Sequence, residues 1–384
     1  MSNKRAFGAI YLSVAISYLG VGLVAPLIAI VLSEHGATSF IVGLVGTTTF
    51  AAFTLSSFPI GRVIDRVGAK PILISGLVLY GFSILLFALI GSVGLFFTVR
   101  AIEGVGAAAI SVATETLIGK LSAPGERARR MSYYALSVGV GWVAGPLTGG
   151  LLFKVQPHLP FFLCFGFSIT AAILAAAFVP RTAANSHHAE RLTGLVRKLM
   201  VPISAGSLYG FLMSSLITLF PLYLKQMRVD EGQMGSIITA VIGGTLISQV
   251  PIGRAADRFG KRKTLIVCSL GLAVAFAVMA GHTNWQPFLL TGALVGALAG
   301  SFYPLGLAMI GGLVKGERMG AATSLFSLAF GIGSLVGPTA SGLAMDHLGN
   351  PWLFYLPSIL VVAFVLELVL LYDKSERKLS PESE

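Results

Sequence analysis

The chain is poor in charged residues and almost free of cysteine. Only 11% of its 384 residues are charged, whereas a soluble domain usually carries about 25%. The charges cluster in short intervals and leave apolar stretches of roughly 20 residues, the length that crosses the hydrocarbon core of a bilayer. The composition therefore predicts a multi-pass membrane protein and excludes a soluble domain with a core of its own.

Several kinds of chemistry lack the residues that they need. The two cysteines, Cys164 and Cys268, lie far apart in apolar stretches, which indicates small buried hydrophobic residues rather than metal ligands. The sequence has no phosphate-binding loop of the Gly-x-x-x-x-Gly-Lys-Ser/Thr type, since Gly260-Lys261 is followed by arginine. No nucleophile constellation is present either. We therefore expect no metal, no cofactor, no ATP hydrolysis and no enzyme active site.

The net charge of +11 is unevenly distributed. When the intervals between apolar stretches are assigned alternately to two sides, one side holds 23 basic residues and the other only Lys154, Lys225 and Arg228. Such an excess marks cytoplasmic loops. The asymmetry predicts cytoplasmic termini, and it assigns the positive charge to topology and membrane lipid rather than to nucleic acid.

Twelve helical spans fit the apolar stretches, which are too long for barrel strands and lack their alternation. We expect a first bundle of six helices in residues 1–180, a cytoplasmic linker in 181–200, a second bundle in 201–372 and a cytoplasmic tail in 373–384. The first span follows a Lys-Arg pair, and we expect it to be retained rather than cleaved as a signal peptide.

A ten-residue phrase occurs twice, 192 residues apart, and indicates a tandem duplication. It reads Pro-Ile-Gly-Arg-Val-Ile-Asp-Arg-Val-Gly from Pro59 and Pro-Ile-Gly-Arg-Ala-Ala-Asp-Arg-Phe-Gly from Pro251, with seven identical positions. Gly145-Pro146 and Gly337-Pro338 have the same spacing. Because six spans separate the copies, the halves are expected to be parallel repeats with a cavity between them near the bilayer midplane. Each copy is expected to form a tight charged hinge between two spans.

The repeated phrase resembles the signature of the major facilitator superfamily, Gly-x-x-x-Asp-Arg-x-Gly-Arg-Lys. The first copy matches at five positions and has Ala69 in place of arginine, while the second copy is fuller. The matching residues are Gly61, Asp65, Arg66, Gly68 and Lys70, and then Gly253, Asp257, Arg258, Gly260, Lys261 and Arg262.

Two further motifs extend the resemblance. In the fourth span, Arg100, Glu103, Gly104 and Gly106 are similar to the family's Arg-x-x-Gln-Gly-x-Gly, with glutamate for glutamine. In the fifth span, the stretch from Gly141 to Gly150 resembles a motif associated with drug:proton antiporters. Its stripe of small residues and its proline consist of Gly141, Gly145, Pro146 and Gly149.

The resemblance implies a cytoplasmic gate at the two hinges. Asp65 would face the start of the eleventh span near Met319, and Asp257 would face the start of the fifth near Met131. A carboxylate at a helix N-terminus is favoured by the helix dipole. These contacts would break when the two halves rock. The hinge glycines are expected to allow a tight turn and close backbone approach.

Span four carries the most informative charges. Arg100, Glu103 and Glu115 lie within an apolar stretch, where ionisable groups are costly and usually functional. Arg100 and Glu103 are three residues apart and can pair. A carboxylate removed from water binds a proton more readily, so Glu115 and Glu103 are the candidate proton-coupling residues, with structural ion pairing as the alternative role. Glu115 has no cation at helical spacing, although Arg62 and Arg66 could reach it. Spans one and seven contain no acid.

The small-residue stripe of span five is expected to let another helix approach closely, and Pro146 to kink the helix. The resemblance implies that the stripe seals the protein against uncoupled leak. Ordinary polar and aromatic groups are expected in the cavity: Tyr18, Tyr209, Ser214, Ser215, Thr218, Gln249 and Tyr303. Each of them could equally serve as a helix–helix contact.

The sequence thus favours an all-α transporter of the cytoplasmic (inner) membrane that exchanges protons for drug-like or amphipathic small molecules by alternating access, as a monomer. Three alternatives remain open. The first is a proton symporter for a sugar or small organic acid, with Arg100 as the partner of the anionic substrate. The others are a lipid flippase and a membrane sensor that transports nothing.

Overall fold

The computed structural model describes residues 3–123, 126–181, 199–314 and 318–376. Its regular elements in these ranges are all α-helices, as predicted. They are α1 (Asn3–Glu34), α2 (Ser39–Val67), α3 (Ala69–Phe87), α4 (Val93–Leu121), α5 (Arg127–Val155), α6 (Leu159–Phe178), α7 (Met200–Gln226), α8 (Glu231–Phe259), α9 (Lys261–Ala280), α10 (Gln286–Ala299), α11 (Phe302–Leu313), α12 (Arg318–Leu348) and α13 (Trp352–Glu376). Twelve segments are long and apolar enough to cross a membrane, with α10 and α11 forming one of them. Linker residues 182–198 and tail residues 377–384 lie outside the described residues.

The repeated phrase is helical over most of its length, which corrects the prediction of a tight hinge beginning at its proline. Helix α2 runs through Pro59 to Val67, and α8 runs through Pro251 to Phe259. Neighbouring groups in a membrane bundle can satisfy the carbonyl that a proline leaves free. The turn itself is a single glycine in each copy. Gly68 and Gly260 have φ of 89° and 91°, a region that residues with a Cβ rarely occupy.

The tenth span is broken at Gly300–Ser301, where α10 ends and α11 begins. A broken helix frees carbonyl groups that need donors inside a membrane. A hydroxyl group of α8 supplies one for Ala297, and a second adds to the bond that the Gly296 carbonyl keeps with the Gly300 amide. Thr245 Oγ1 donates to the carbonyl of Gly296 at 2.9 Å, and Ser248 Oγ donates to that of Ala297 at 2.9 Å.

The contacts divide the chain into two compact units. Unit 1 contains residues 1–188 and 217–239, and unit 2 contains 189–216 and 240–384. In unit 1, α1 packs on α5 and α6, while α4 packs on α2 and α3. The end of α7 and the beginning of α8 also belong to unit 1. In unit 2, α9 packs on α10 and α13. The division into bundles 1–180 and 201–372 stays a prediction from the duplication.

Backbone contacts at glycines join α1 to α5 in unit 1. A Cβ added to Gly141 would lie 2.6 Å from the Leu19 nitrogen, and one added to Gly145 or Gly149 would overlap the backbone of Gly22 or Leu23. The predicted close approach at the stripe is therefore observed. Helix α5 continues through Pro146.

Unit 2 repeats this packing between α7 and α12. A Cβ added to Gly333 would overlap the carbonyl oxygen of Ser207, and one added to Gly337 would lie 2.6 Å from the carbonyl oxygen of Phe211. These glycines lie 192 residues after Gly141 and Gly145. The position that corresponds to Gly149 is Ser341, whose hydroxyl group donates to Ser215 Oγ at 3.0 Å. The stripe is therefore a packing feature of both repeats.

We predict that Gly145→Val lowers the thermal stability of the protein, because the added atoms have no space between α5 and α1. Overpacking of this kind costs about 1–3 kcal/mol. The midpoint of thermal unfolding in detergent, followed by size-exclusion chromatography, measures the effect. Gly166→Val is the matched control, since a Cβ at Gly166 meets no atom within 4 Å. Equal midpoints for the two variants would contradict the prediction.

Candidate functional site

The predicted ion pair of span four is present. Arg100 Nη1 donates to Glu103 Oε2 at 2.7 Å, and the side chains are 12% and 7% exposed. Tyr80 on α3 and Cys164 on α6 lie near Glu103. Because a buried carboxyl group without a partner is costly, the guanidinium of Arg100 is the partner that compensates the burial of Glu103.

Arg100 also borders a small cavity of about 40 Å³ within unit 1. Apolar side chains of α1, α2 and α7 line most of this cavity, together with Thr218. The Nε atom of Arg100 is buried and has no hydrogen-bond partner among the described residues. The cavity has room for a few water molecules, and it offers a cation in apolar surroundings.

Glu115 lies further along α4, between Arg100 and the end of the helix at Leu121, and has a different environment. Its Oε1 accepts a hydrogen bond from Ser111 Oγ at 3.0 Å. Tyr18 on α1 and Tyr134 on α5 are close enough to interact with it electrostatically. No ion pair within the described ranges involves Glu115. The described neighbours of the carboxylate are therefore hydroxyl groups rather than cations.

The hinge arginine Arg62 does not pair with Glu115. Its guanidinium carbon lies 4.2 Å from the centre of the Phe58 ring, one helical turn away on α2. The expectation that Arg62 compensates Glu115 is therefore not supported, because the arginine is held against its own helix.

The basic residues of the hinges join neighbouring helices. Lys70 Nζ donates to the carbonyl of Ala176 on α6 at 2.7 Å, and Arg262 Nη2 donates to that of Val369 on α13 at 3.3 Å. The two donors occupy equivalent positions of the repeat. Lys261 Nζ adds a bond of 2.6 Å to the carbonyl of Ala308. The first copy has Ala69 at that position and cannot make this bond.

The hinge glycines differ in whether the backbone or the surrounding space excludes a side chain. Gly68 and Gly260 need their positive φ, whereas a Cβ at Gly61 or Gly253 would meet no described atom within 4 Å. The close approach expected at these last two glycines is therefore not observed.

Asp65 lies in the last turn of α2, two residues before Val67, and Asp257 has the equivalent place in α8. The side chain of Met319, the expected neighbour of Asp65, lies outside the residues whose side chains are described. The contacts of the cytoplasmic gate stay predictions.

Two ion pairs in unit 1, which we call the end clasp, were missed by the sequence analysis. Lys154 Nζ lies 2.5 Å from Asp230 Oδ2, and Lys225 Nζ lies 2.8 Å from Glu34 Oε1. Each pair joins a helix of the first repeat to the end of α7 or the start of α8. Lys154 and Lys225 are two of the three exceptions to the charge asymmetry, and that signal could have marked them.

The end clasp lies at the end of the spans opposite Gly68 and Gly260. Close contacts between α5 and α8 support it: Gly150 packs on the carbonyl of Glu231, and Thr239 Oγ1 donates to that of Val143 at 3.0 Å. The Lys154 ammonium group, which hydrogen-bonds to Asp230, holds the pKa of that carboxyl below its ordinary value. The amide of Gly232 assists by donating to Asp230 Oδ1 at 3.0 Å.

Both cysteines are buried and free, as the sequence indicates. Among the described residues no group of three or more histidine, cysteine, aspartate or glutamate side chains could hold a metal ion.

Comparison with known proteins identifies the family. A family model described as the Major Facilitator Superfamily matches residues 10–230 and 202–384. The chain is 28% identical over 382 residues to the uncharacterized MFS-type transporter YfkF of Bacillus subtilis strain 168, covering 97% of each chain. It is 26% identical over 366 residues to the quinolone resistance protein NorA of Staphylococcus aureus, covering 91% of this chain and 92% of that one.

Solved structures share the fold at low sequence identity. The nucleoside transporter NupG has a TM-score of 0.78 at 12% identity, with 96% of this chain and 98% of that chain covered. An inward-facing bacterial homolog of the human lysosomal transporter Spinster has a TM-score of 0.73 at 15% identity, with 95% and 94% covered. These proteins are transporters rather than enzymes. The chain is accordingly a multi-pass membrane transporter with twelve spans that belongs to the major facilitator superfamily.

Proposed function

We propose that this transporter is a proton-coupled antiporter that exports drug-like or amphipathic small molecules across the cytoplasmic (inner) membrane. The observation that carries the proposal is Glu115, a carboxylate within a membrane span that has hydroxyl neighbours and no ion-pair partner among the described residues. The similarity to a quinolone resistance protein supports the export of drug-like molecules.

Glu115 is better suited than Glu103 to bind and release protons. Glu103 is buried and paired with Arg100 at 2.7 Å, and protonation would leave the guanidinium without its partner. Glu115 is exposed on the surface of unit 1. Since ionisable groups in spans face a bundle interior or a water-filled cavity rather than lipid, this exposure favours contact with a transport pathway. We assign the coupling role to Glu115 and a charge-compensating role to the Arg100–Glu103 pair.

Alternating access requires that each end of the protein open and close. The end clasp holds the ends of α7 and α8 against α1 and α5 within unit 1. Its four side chains are 28–52% exposed, and ion pairs of this kind contribute about 0–1 kcal/mol each. Contacts this weak can close one end of the pathway and still open in each cycle. With both termini in the cytoplasm, the clasp end faces outward.

A second candidate function is proton-coupled uptake of a small organic acid. The cavity beside Arg100 supports it, because the guanidinium has a buried Nε atom without a partner among the described residues. An anionic substrate would bind there. The direction of flux separates this candidate from export.

We predict that Glu115→Gln abolishes uphill transport driven by a pH gradient, because glutamine cannot exchange a proton. Proteoliposomes with an imposed pH gradient and either ethidium or a fluorescent quinolone as the probe measure it. Glu103→Gln should instead lower protein stability, because it leaves Arg100 unpaired. Gradient-driven transport by Glu115→Gln at the rate of the unchanged protein would contradict the assignment, and uptake of organic acids alone would favour the second candidate.

Asp65→Asn should reduce transport without lowering thermal stability. An acid in the last turn of a helix is unfavourable by about 0.3–1 kcal/mol because of the helix dipole. Replacing Asp65 by asparagine therefore removes the proposed gate contact without destabilising α2. Transport rate and unfolding midpoint are measured on the same preparation. Full activity, or a loss that follows a fall in the unfolding midpoint, would argue against a gating role.

The end clasp gives a third prediction. Asp230→Asn and Lys154→Gln should each increase the labelling of a cysteine placed at Ala29, a cavity residue that is 3% exposed. The background lacks Cys164 and Cys268, and the reagent is a membrane-impermeant maleimide. Arg228→Gln is the matched control, because Arg228 lies at the same end and forms none of the described ion pairs. The double variant Lys154→Asp with Asp230→Lys, which exchanges the two charges, should restore the protection of this cysteine from labelling.

The pH dependence of the clasp follows from the lowered pKa of Asp230. The pair stabilises the closed end above the ordinary carboxyl value of about 3.9, and this contribution disappears as the pH falls through the lowered pKa. Because the reactive thiolate fraction of the cysteine itself changes with pH, labelling is compared with that of Asp230→Asn at the same pH. This ratio should be flat near neutral pH and increase only in strong acid. An increase already at mildly acidic pH would show that another group controls this end.

A further inference from the structure

Hydroxyl groups from three helices lie near the Glu115 carboxylate. Ser111 on α4 donates to Glu115 Oε1 at 3.0 Å. Tyr134 on α5 lies close to Ser111 and Glu115, and Tyr18 on α1 lies close to Tyr134 and Glu115. We call Ser111, Tyr134 and Tyr18 the hydroxyl cluster. Its members come from separate parts of the sequence, and only the packing of α1, α4 and α5 brings them together.

The glycine stripe helps to place this cluster. Tyr134 lies seven residues before Gly141 on α5, so the two residues share a helical face. Gly141 packs on the backbone of Tyr18 and Leu19, with an added Cβ 2.7 Å from the Tyr18 carbonyl carbon. The close approach of α1 to α5 therefore brings the segments that carry Tyr18 and Tyr134 together.

A chain of hydroxyl groups can hold a carboxylate in both of its protonation states. Each hydroxyl group has one hydrogen to donate and lone pairs to accept with. When Glu115 is ionised, Ser111 donates to the carboxylate, and the nearby hydroxyl groups of Tyr134 and Tyr18 can support it by donating in the same direction. When Glu115 is protonated, its carboxyl hydrogen is donated to Ser111, and the hydroxyl groups of the cluster can then donate in the opposite direction. An arginine in place of the cluster would favour only the ionised form.

The charged and titratable groups around Glu115 fit this role. Tyr18 on α1 and Tyr134 on α5 are the titratable side chains that interact with it, and on its own helix the hydrogen-bond partner is Ser111. Arg100 lies 15 residues before Glu115 on α4, which is about 22 Å along the helix. In the described residues, no lysine, arginine or histidine forms an ion pair with Glu115.

We infer that Ser111, Tyr134 and Tyr18 are positioning residues for the proton-carrying carboxylate of Glu115, and that they set the pH at which it exchanges its proton. This inference rests on the proposed function of Glu115. The hydroxyl groups keep their own protons throughout, and the proton that is transported stays on the carboxylate until it is released to water.

Infrared spectroscopy of the purified protein in lipid vesicles tests the inference without a substrate. The band of the protonated Glu115 carboxyl group is identified by its loss in Glu115→Gln and is then titrated. Ser111→Ala removes the donor to the ionised carboxylate and Tyr134→Phe removes the hydroxyl group beside it, so the midpoint of the titration should move up by about one pH unit. Ser111→Thr keeps the hydroxyl group and should restore the original midpoint.

Tyr133→Phe is the matched control. Tyr133 is adjacent to Tyr134 on α5, but its ring lies against Tyr11, with 6.0 Å between the ring centres. Loss of its hydroxyl group should leave the midpoint unchanged. Unfolding midpoints are measured in parallel, because a merely structural role of Tyr134 would lower stability without moving the titration.

The outcomes separate this inference from the proposed function. If no titrating carboxyl band disappears in Glu115→Gln, Glu115 exchanges no proton, and both are overturned. If the band is present but does not move in Ser111→Ala and Tyr134→Phe, only the positioning role is overturned. A shift in both variants, absent in Ser111→Thr and Tyr133→Phe, supports the inference.

Discussion

The cost of an ionised side chain in hydrocarbon governs where this chain carries charge. Within span four, Arg100 compensates Glu103 at 2.7 Å, whereas Glu115 has a serine hydroxyl group as its hydrogen-bond partner. At the ends of the spans, where water is available, Lys154 and Lys225 pair with acids while remaining partly exposed. The same constraint thus produces a tight internal pair, a carboxylate supported by hydroxyl groups and weak pairs at the membrane boundary.

Much of the fold could be predicted because span length and charge asymmetry are local properties of the sequence. The twelve spans, the duplication and the Arg100–Glu103 pair follow from spacing alone. The course of α2 through Pro59 and of α8 through Pro251 could not be predicted, since the local preference of proline for helix ends is overridden by a bundle that satisfies the freed carbonyl groups.

The candidate site was predictable only within single helices. Glu115 was identified from its place in span four, but its neighbours Tyr134 and Tyr18 belong to other helices, and no spacing rule joins them. The end clasp has the same origin, because Lys154 and Asp230 are separated by 76 positions of sequence. Its cations were visible as exceptions to the charge asymmetry, yet their partners depend on how α5 packs against α8.

The two hinges have the same glycine turn but differ in how many side-chain hydrogen bonds join the following helix to its neighbours. In unit 2, Lys261 and Arg262 attach the start of α9 to α11 and to α13. In unit 1, Lys70 makes the one corresponding attachment found among the described residues, to α6, because Ala69 has no donor group in its side chain. The start of α3 is therefore held by one described side-chain hydrogen bond fewer than the start of α9, so the duplicated halves are fastened unequally at the same point of their fold.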